Sequence, residues 1–350
     1  GSGNTSNRFF QIGTGANNGN GGTITNNGTG ALVFTAASFT VRQENANTAN
    51  RTLTLSGSNT DNNEIQGVIQ SMNSTVGSLA VTKSGAGTWI LSGANTYTGA
   101  TTISVGMLAG IGNNAFGSTS GISIAGSGTL SLRGDASTSF VKASDSSAIS
   151  VTTTASGATI NVDQATGAGT SAKTMTLGTL LINTAVDNTT NFTGSNNTSL
   201  SVGAVTTGNS ASGTETFNNT ISGGGLLTLA SIAVNRTGTP TVAFTGDGNT
   251  TVTGNITQVA TTRLTKSGAG TLTLSGNNTY TGNTTVSAGV LNIRHANALG
   301  TTANGTTVSS GAALELQGGI TVGAEALSLS GNGISSGGAL RNISGDNSYA

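Results

Sequence analysis

Few side chains in this sequence are equipped for chemistry, and they are spread thinly. Two lysines share one setting. Lys83 and Lys266 each open the run Lys-Ser-Gly-Ala-Gly-Thr. A phosphate-gripping lysine needs Gly-Lys-Ser/Thr at the start of a helix. Here Lys precedes Ser-Gly and a strand follows, so the expected role is a turn residue with a solvated amine. His295 is the only histidine and there is no cysteine. A lone imidazole cannot build a His- or Cys-based metal site, and His295 is expected as an exposed residue near a corner. The densest oxygen groupings are Asp61-Asn62-Asn63-Glu64 and Asp247-Gly248-Asn249. Neither fits the EF-hand loop or the Gly-Gly-x-Gly-x-Asp calcium nonapeptide, which leaves weak calcium binding as a minor alternative. Glycoside hydrolysis needs two carboxyls about 5–10 Å apart, and the acids here are scattered. No catalytic, cofactor-binding or metal residue is assigned, no cofactor is expected, and the chain is not read as an enzyme.

The remaining polar candidates are uncharged. Asn95, Tyr97, Asn278 and Tyr280 lie in two copies of Asn-Thr-Tyr-Thr-Gly. Their expected role is structural, with amides stacked turn upon turn as in cross-β ladders. Ligand stacking on the tyrosines is the alternative. Asn-x-Ser/Thr triplets at Asn50, Asn73, Asn249 and Asn283 are what a Thr/Asn-rich sequence generates by chance. Glycosylation there would depend on the host.

The elements that must position these residues are short strands. The 350 residues include 55 Gly and 1 Pro, and charged residues make up 7% against roughly 25% in typical soluble proteins. Disorder of low-apolar chains goes with high charge and abundant Pro. Here the polar mass is Thr, Ser, Asn and Gly, which favour strands and tight turns. Twelve basic and twelve acidic residues balance to zero. With no basic cluster, nucleic acid is not an expected partner. No run of about 18 apolar residues occurs, so membrane insertion is not expected either.

The spacing of apolar residues defines the architecture. Apolar-x-apolar-x-Gly recurs as Leu53-Leu55-Gly57, Leu130-Leu132-Gly134, Leu272-Leu274-Gly276 and Leu314-Leu316-Gly318. Alternation puts the apolar pair on one face, and Gly permits the bend. Val81–Gly117 and Leu264–Gly300 align without a gap and are identical at 23 of 37 positions. Preceding strand-like runs extend the match to a super-repeat spanning roughly half the chain. Such self-similarity signals a repeat architecture. Hairpin turns of an antiparallel sandwich should recur about every 8–12 residues. The runs Leu272–Leu274, Val290–Ile293 and Leu314–Leu316 instead follow one another at about 20 residues, the length of one solenoid turn. The expected fold is all-β, a single parallel β-solenoid over residues 1–350, with the long repeats at 81–117 and 264–300 and an irregular, loop-rich stretch at 135–225. At about 20 residues and about 4.8 Å per turn, it would hold about 17 rungs in a rod on the order of 80 Å.

Lys83–Thr88 through Asn95–Gly99, and Lys266–Thr271 through Asn278–Gly282 with Thr284-Thr285-Val286 and Gly289–Ile293, resemble the autotransporter-associated β-strand repeat. This is also called the passenger-associated transport repeat. The two copies cover about a fifth of the chain. The resemblance implies a right-handed parallel β-helix exported to the surface of a Gram-negative-type bacterium. No translocator barrel follows Leu340–Ala350, so the chain is either part of a longer passenger or a subunit exported separately. The expected function is an extracellular fibre, filament or stalk unit. The alternative is an adhesin that binds host or abiotic surfaces, or a glycan, through loops of 135–225. A polysaccharide-acting enzyme is the remote third. Open sheet edges template pairing, and neither Phe9-Phe10 near the start nor Leu340–Ala350, with only Arg341 and Asp346 charged, reads as a cap. End-to-end contact is therefore expected, with neighbouring repeats or with identical subunits.

Overall fold

The computed structural model describes residues 4–6, 21–35, 38–40, 50–71, 77–167, 171–184, 187–208 and 212–350. The expectations resting on Phe9-Phe10 and Asn73 lie outside these residues. The fold is a parallel β-solenoid. Its one helical element among the described residues is a short 3-10 turn, Ile334–Ser336. None of those residues forms a helix long and apolar enough to cross a membrane.

The chain divides into two compact units, Gly1–Gly169 with Lys173–Gly178, and Thr170–Ala172 with Thr179–Ala350. In the first unit, one parallel sheet stacks seven strands from Asn4–Ser6 to Thr159–Asp163. A second sheet of the same unit stacks Gly22–Thr25, Arg51–Ser56, Leu79–Lys83, Thr101–Ile103, Ile122–Ile124 and Val151–Thr153 in register. In the second unit, one sheet again stacks seven strands, from Asn188–Gly194 to Leu327–Leu329. Each strand pairs its backbone with the turn before and the turn after, so sheet hydrogen bonding runs along the stack.

The two long repeats build equivalent turns. Val81 pairs with Thr101, and Leu264 with Thr284. Thr88 pairs with Met107, and Thr271 with Val290. Each offset in one copy equals its counterpart in the other. Outside the repeats the turns are longer. Asn59 bonds Gly28 on the preceding turn across 31 residues. Ser131 bonds Asn161 across 30 residues, and Asn188 bonds Glu215 across 27 residues. The expectation of one uniform turn length is thus corrected. Among the described residues the first sheet of each unit has seven strands, fewer levels in all than the 17 or so expected. Between Arg133 and Val151 the extra residues form a corner, whereas at 188–221 the strands themselves lengthen.

The stretch 135–225 divides in the same way. Residues 134–150 are mostly loop. Beyond them lie some of the longest strands, Asn188–Gly194, Thr198–Thr207 and Thr214–Ile221. They escape the apolar-pattern reading because many of their inward positions hold Asn188, Thr190, Glu215 and Asn219. Phe192, Phe217 and Phe244 bind this part together as a stack, with ring centroids 6.3 and 5.3 Å apart.

The core follows the alternation. Leu53, Leu55, Leu91, Leu130, Leu132 and Leu274 are fully buried. Ser92 and Ser275, next in sequence to the repeat leucines, are half-buried and face outward. Full burial of a Leu side chain contributes roughly 1.5–3 kcal/mol. Leu91→Ala and Leu274→Ala should each destabilise the fold by about 2–5 kcal/mol in denaturant titration, whereas Ser275→Ala should stay within about 0.5 kcal/mol. Equal effects from Leu and Ser would contradict this register.

Candidate functional site

The most organised polar arrangement is the corner at the head of each long repeat. Lys83 is 0% exposed and Lys266 is 3% exposed, so the expected solvated amine is overturned. Lys83 Nζ donates to the carbonyls of Ser84 at 3.0 Å and Gly85 at 2.6 Å on its own turn, and of Val105 at 3.1 Å on the next. Lys266 Nζ repeats this with Ser267 at 3.3 Å, Gly268 at 2.7 Å and Ala288 at 3.3 Å. The Ser-Gly-Ala-Gly sequence bends the backbone so that its carbonyls turn inward, and the ammonium fills the space they enclose. Gly106 and Gly289 close the corner from the next turn, at φ 72° and 68°. A Cβ at either would lie 2.7 Å from the lysine Nζ. Desolvation lowers both amines well below the ordinary lysine range, to about 8, with Asp247 partly opposing the shift at Lys266. A buried charge is tolerable only when hydrogen-bonded, and three carbonyls use all three ammonium donors.

The Asn-Thr-Tyr-Thr-Gly segments are buried too. Asn95 Oδ1 accepts from the Ile69 N–H of the preceding turn at 2.7 Å, and its Nδ2 donates to Ala115 O of the next turn at 2.6 Å. Asn278 does the same with Ile256 N and Ala298 O, at 2.8 and 2.6 Å. Each amide thus bridges three turns through backbone groups. It does not stack on another asparagine as a ladder would require. Side-chain ladders occur elsewhere, as where Asn218 Nδ2 donates to Asn191 Oδ1 at 2.8 Å. Tyr97 and Tyr280 are 0% exposed, which removes ligand stacking. Their hydroxyls lie 2.8 Å from Thr101 and Thr284 Oγ1. Burial raises both phenols above their usual range, the threonine hydrogen bonds only partly opposing it.

The acidic groupings serve the stack. Asp61 is exposed beside the buried Asn63. Glu64 accepts from Ser92 Oγ and Gln66 Nε2 at 2.5 and 3.0 Å. Asp247 and Asn249 accept from the Ala269 and Thr271 N–H groups of the following turn, at 3.3 and 2.9 Å. Half-exposed His295 accepts from Asn297 N at 3.0 Å through Nδ1, within a corner. Among the described residues, no three His, Asp or Glu side chains gather closely enough to share a metal ion. The triplet asparagines Asn50, Asn249 and Asn283 are exposed.

Two features escape the sequence reading. Glu215 and Arg236 form a buried ion pair at 3.0 Å, with Asn188 Nδ2 donating to the carboxylate at 2.6 Å. Burial raises the Glu215 carboxyl to about 7 despite Asn188 and Arg236. Their separation of 21 residues, near one turn, is the only signal. The second feature is a small hairpin in the corner at 134–150, where Val141 and Ala148 bridge antiparallel. Phe140 anchors its base against Phe116, with centroids 6.0 Å apart. Beside it opens a cleft of about 480 Å³ lined by Asn113, Ser137, Thr138, Ser139 and Ser146.

Fold and corner together define a parallel β-solenoid whose turns are fastened by buried lysine and asparagine clamps. The comparisons agree with that class. Residues 81–109 and 264–293 match the passenger-associated-transport-repeat family, so the chain carries two such repeats. A stretch of 136 residues is 35% identical to the adhesin BmaC autotransporter of Brucella suis biovar 1 (strain 1330), covering 39% of this chain and 4% of that protein. The chain therefore spans a small fraction of the length of the curated relative it matches. No solved structure matches.

The clamps can be tested one at a time. Asn95→Ala strands the Ile69 N–H and the Ala115 carbonyl inside the stack, and should lower unfolding free energy by about 2–4 kcal/mol in denaturant titration. A loss under about 0.5 kcal/mol would show that the bridge is dispensable.

The lysine corners make stability depend on pH. Between about pH 8 and the usual lysine value near 10.4, the folded chain has released protons that the unfolded chain still holds. Stability therefore rises with pH across that window, by up to about 3 kcal/mol per lysine. Above about pH 10 the unfolded phenols ionise while Tyr97 and Tyr280 stay protonated in the fold, so stability falls again. Denaturant melts at pH 7, 10 and 12 should pass through a maximum near pH 10. Lys83→Met with Lys266→Met should flatten the rise between about pH 8 and 10.

Proposed function

We propose that this chain is an extracellular structural segment, a β-solenoid stalk unit displayed at the surface of a Gram-negative-type bacterium and without catalytic activity. The observation that carries the reading is the paired corner. Two copies, centred on Lys83 and Lys266, reproduce the same buried clamp. The best-formed polar chemistry of the chain is thereby committed to joining one turn to the next. Asp247 and Glu64 serve the same purpose, accepting from the Ala269 N–H and the Ser92 hydroxyl of the following turn. Export to the surface follows from what passenger-associated transport repeats imply. End-to-end contact, with a neighbouring repeat or a second copy, stays part of the proposal. Leu329, Leu340 and Ile343, exposed at 44, 37 and 47%, give such a contact apolar surface.

A second reading, an adhesin segment, is favoured by the likeness to an adhesin autotransporter. The clamped stack would then be the support and an outward surface the working part.

The test separates structure from catalysis. The purified chain is incubated with neutral and acidic polysaccharides, with and without calcium, and new reducing ends and unsaturated products are measured. No turnover is expected. A reproducible activity abolished by Asp61→Asn or Asp247→Asn would overturn the structural reading.

A further inference from the structure

Of the three methionines, Met107 stands at the outer face of the first unit. Leu108 beside it turns into the core and is fully buried, whereas Met107 is half-buried. Its Sδ accepts from an Arg133 guanidinium nitrogen at 3.4 Å. Arg133 belongs to the next turn, where Thr129–Arg133 pairs in register with Met107–Ile111. Its side chain runs back along the outer line, with Nε donating to Ser131 Oγ at 3.2 Å on the way. Met175, by contrast, is fully buried, and Met72 lies outside the described residues.

The two partners are unequal in strength. A guanidinium offers five donors in a fixed fork, and a thioether sulfur is a weak acceptor. Burial lowers Arg133 from the ordinary arginine value, with Asp163 only partly opposing it. A stronger acceptor at the sulfur's position would therefore suit this guanidinium better. The second long repeat shows that the two residues go together. It places Val290 where the first has Met107, and its next turn places Gln317 where the first has Arg133. Thioether and guanidinium are replaced in the same copy.

We propose that Met107 is a site of oxidation by peroxides, and that Arg133 holds the resulting sulfoxide so that the modification fastens the stack and does not loosen it. The Sδ lone pair attacks one oxygen of hydrogen peroxide. An S–O bond forms as the O–O bond breaks, and the second oxygen takes the proton of the first and leaves as water. Sulfur gives up two electrons and the peroxide gains them. The flexible end of the methionine side chain can turn the new oxygen toward Arg133. A sulfoxide ordinarily disrupts the packing around it. Here it replaces a weak acceptor with a strong one beside a charged donor, and charge-assisted bonds are roughly twice as strong as neutral ones. Sulfur and guanidinium sit on consecutive turns, so the strengthened bond ties one turn to the next. The inference concerns how the stack responds to its surroundings and stands with either reading of its function.

The chain is treated with hydrogen peroxide, and each methionine is followed by peptide mass spectrometry. Met107 should oxidise at least about tenfold faster than Met175, because reaction follows exposure. Thermal midpoints are then compared before and after oxidation. Wild type should keep or raise its midpoint, whereas Arg133→Gln should lose at least about 2 °C on oxidation. Met107→Leu gives the shift due to the other methionines, which is subtracted from both. Should Arg133→Gln not fold, Arg133→Lys, which keeps the charge and loses the fork, should show a smaller loss in the same direction. Oxidation of Met175 as fast as that of Met107, or a loss of midpoint in wild type equal to that of the arginine variant, would each overturn the proposal.

Discussion

The structure depends on one constraint: a peptide group in a rung can be satisfied only by the rung beside it. In a parallel solenoid the backbone donors and acceptors point along the stack. Each turn must therefore place its strands where its neighbour's strands already lie. Everything else adapts to that demand. Core leucines repeat at fixed strand positions because the strands repeat. Corners carry glycine where the backbone of one turn nearly touches that of another, as at Gly106 and Gly289. Turn length varies, from the short step between Thr88 and Met107 to the long one between Gly22 and Leu53. The constraint acts on rungs and leaves corners free.

Polar burial is the second consequence. A narrow coil has little room for a wide apolar core, and its corners leave carbonyls and N–H groups that no strand pairs. The chain answers with side chains that reach both neighbouring turns. Lys83 and Lys266 gather carbonyls, and Asn95 and Asn278 bridge an N–H below to a carbonyl above. Glu215 and Arg236 neutralise one another inside the second unit. Each device leaves an unmet group behind if one member is removed, which makes a buried polar core specific as well as demanding.

The fold is legible in the sequence because its signal is periodic. The apolar pairs, the gap-free repeat and the matched spacing after Val81 and Leu264 all report strand positions, and the structure keeps that register at Leu91 and Leu274. The polar site is legible only in part. Asn95 and Asn278 read as structural residues, but their partners are backbone groups of other turns, which no side-chain pattern reveals. Lys83 and Lys266 mislead because a lysine in a Gly-rich turn is usually solvated. Only the three-dimensional corner shows carbonyls converging on it. The long strands of 188–221 are hidden because Asn, Thr and Glu hold several of their inward positions, so alternation exists there without hydrophobicity.

The geometry of the lysine corner also couples neighbouring turns. Two of the three carbonyls around Lys83 belong to its own turn and the third to the next, at Val105. A turn that has formed without its successor holds an ammonium whose third donor still faces water. The arrival of the next turn buries the charge and supplies the missing acceptor in one step. Completion of a turn is thereby written into the growth of its neighbour. The repeat behaves as a latch between consecutive turns, because a break at this corner leaves one ammonium donor and one carbonyl unmet together.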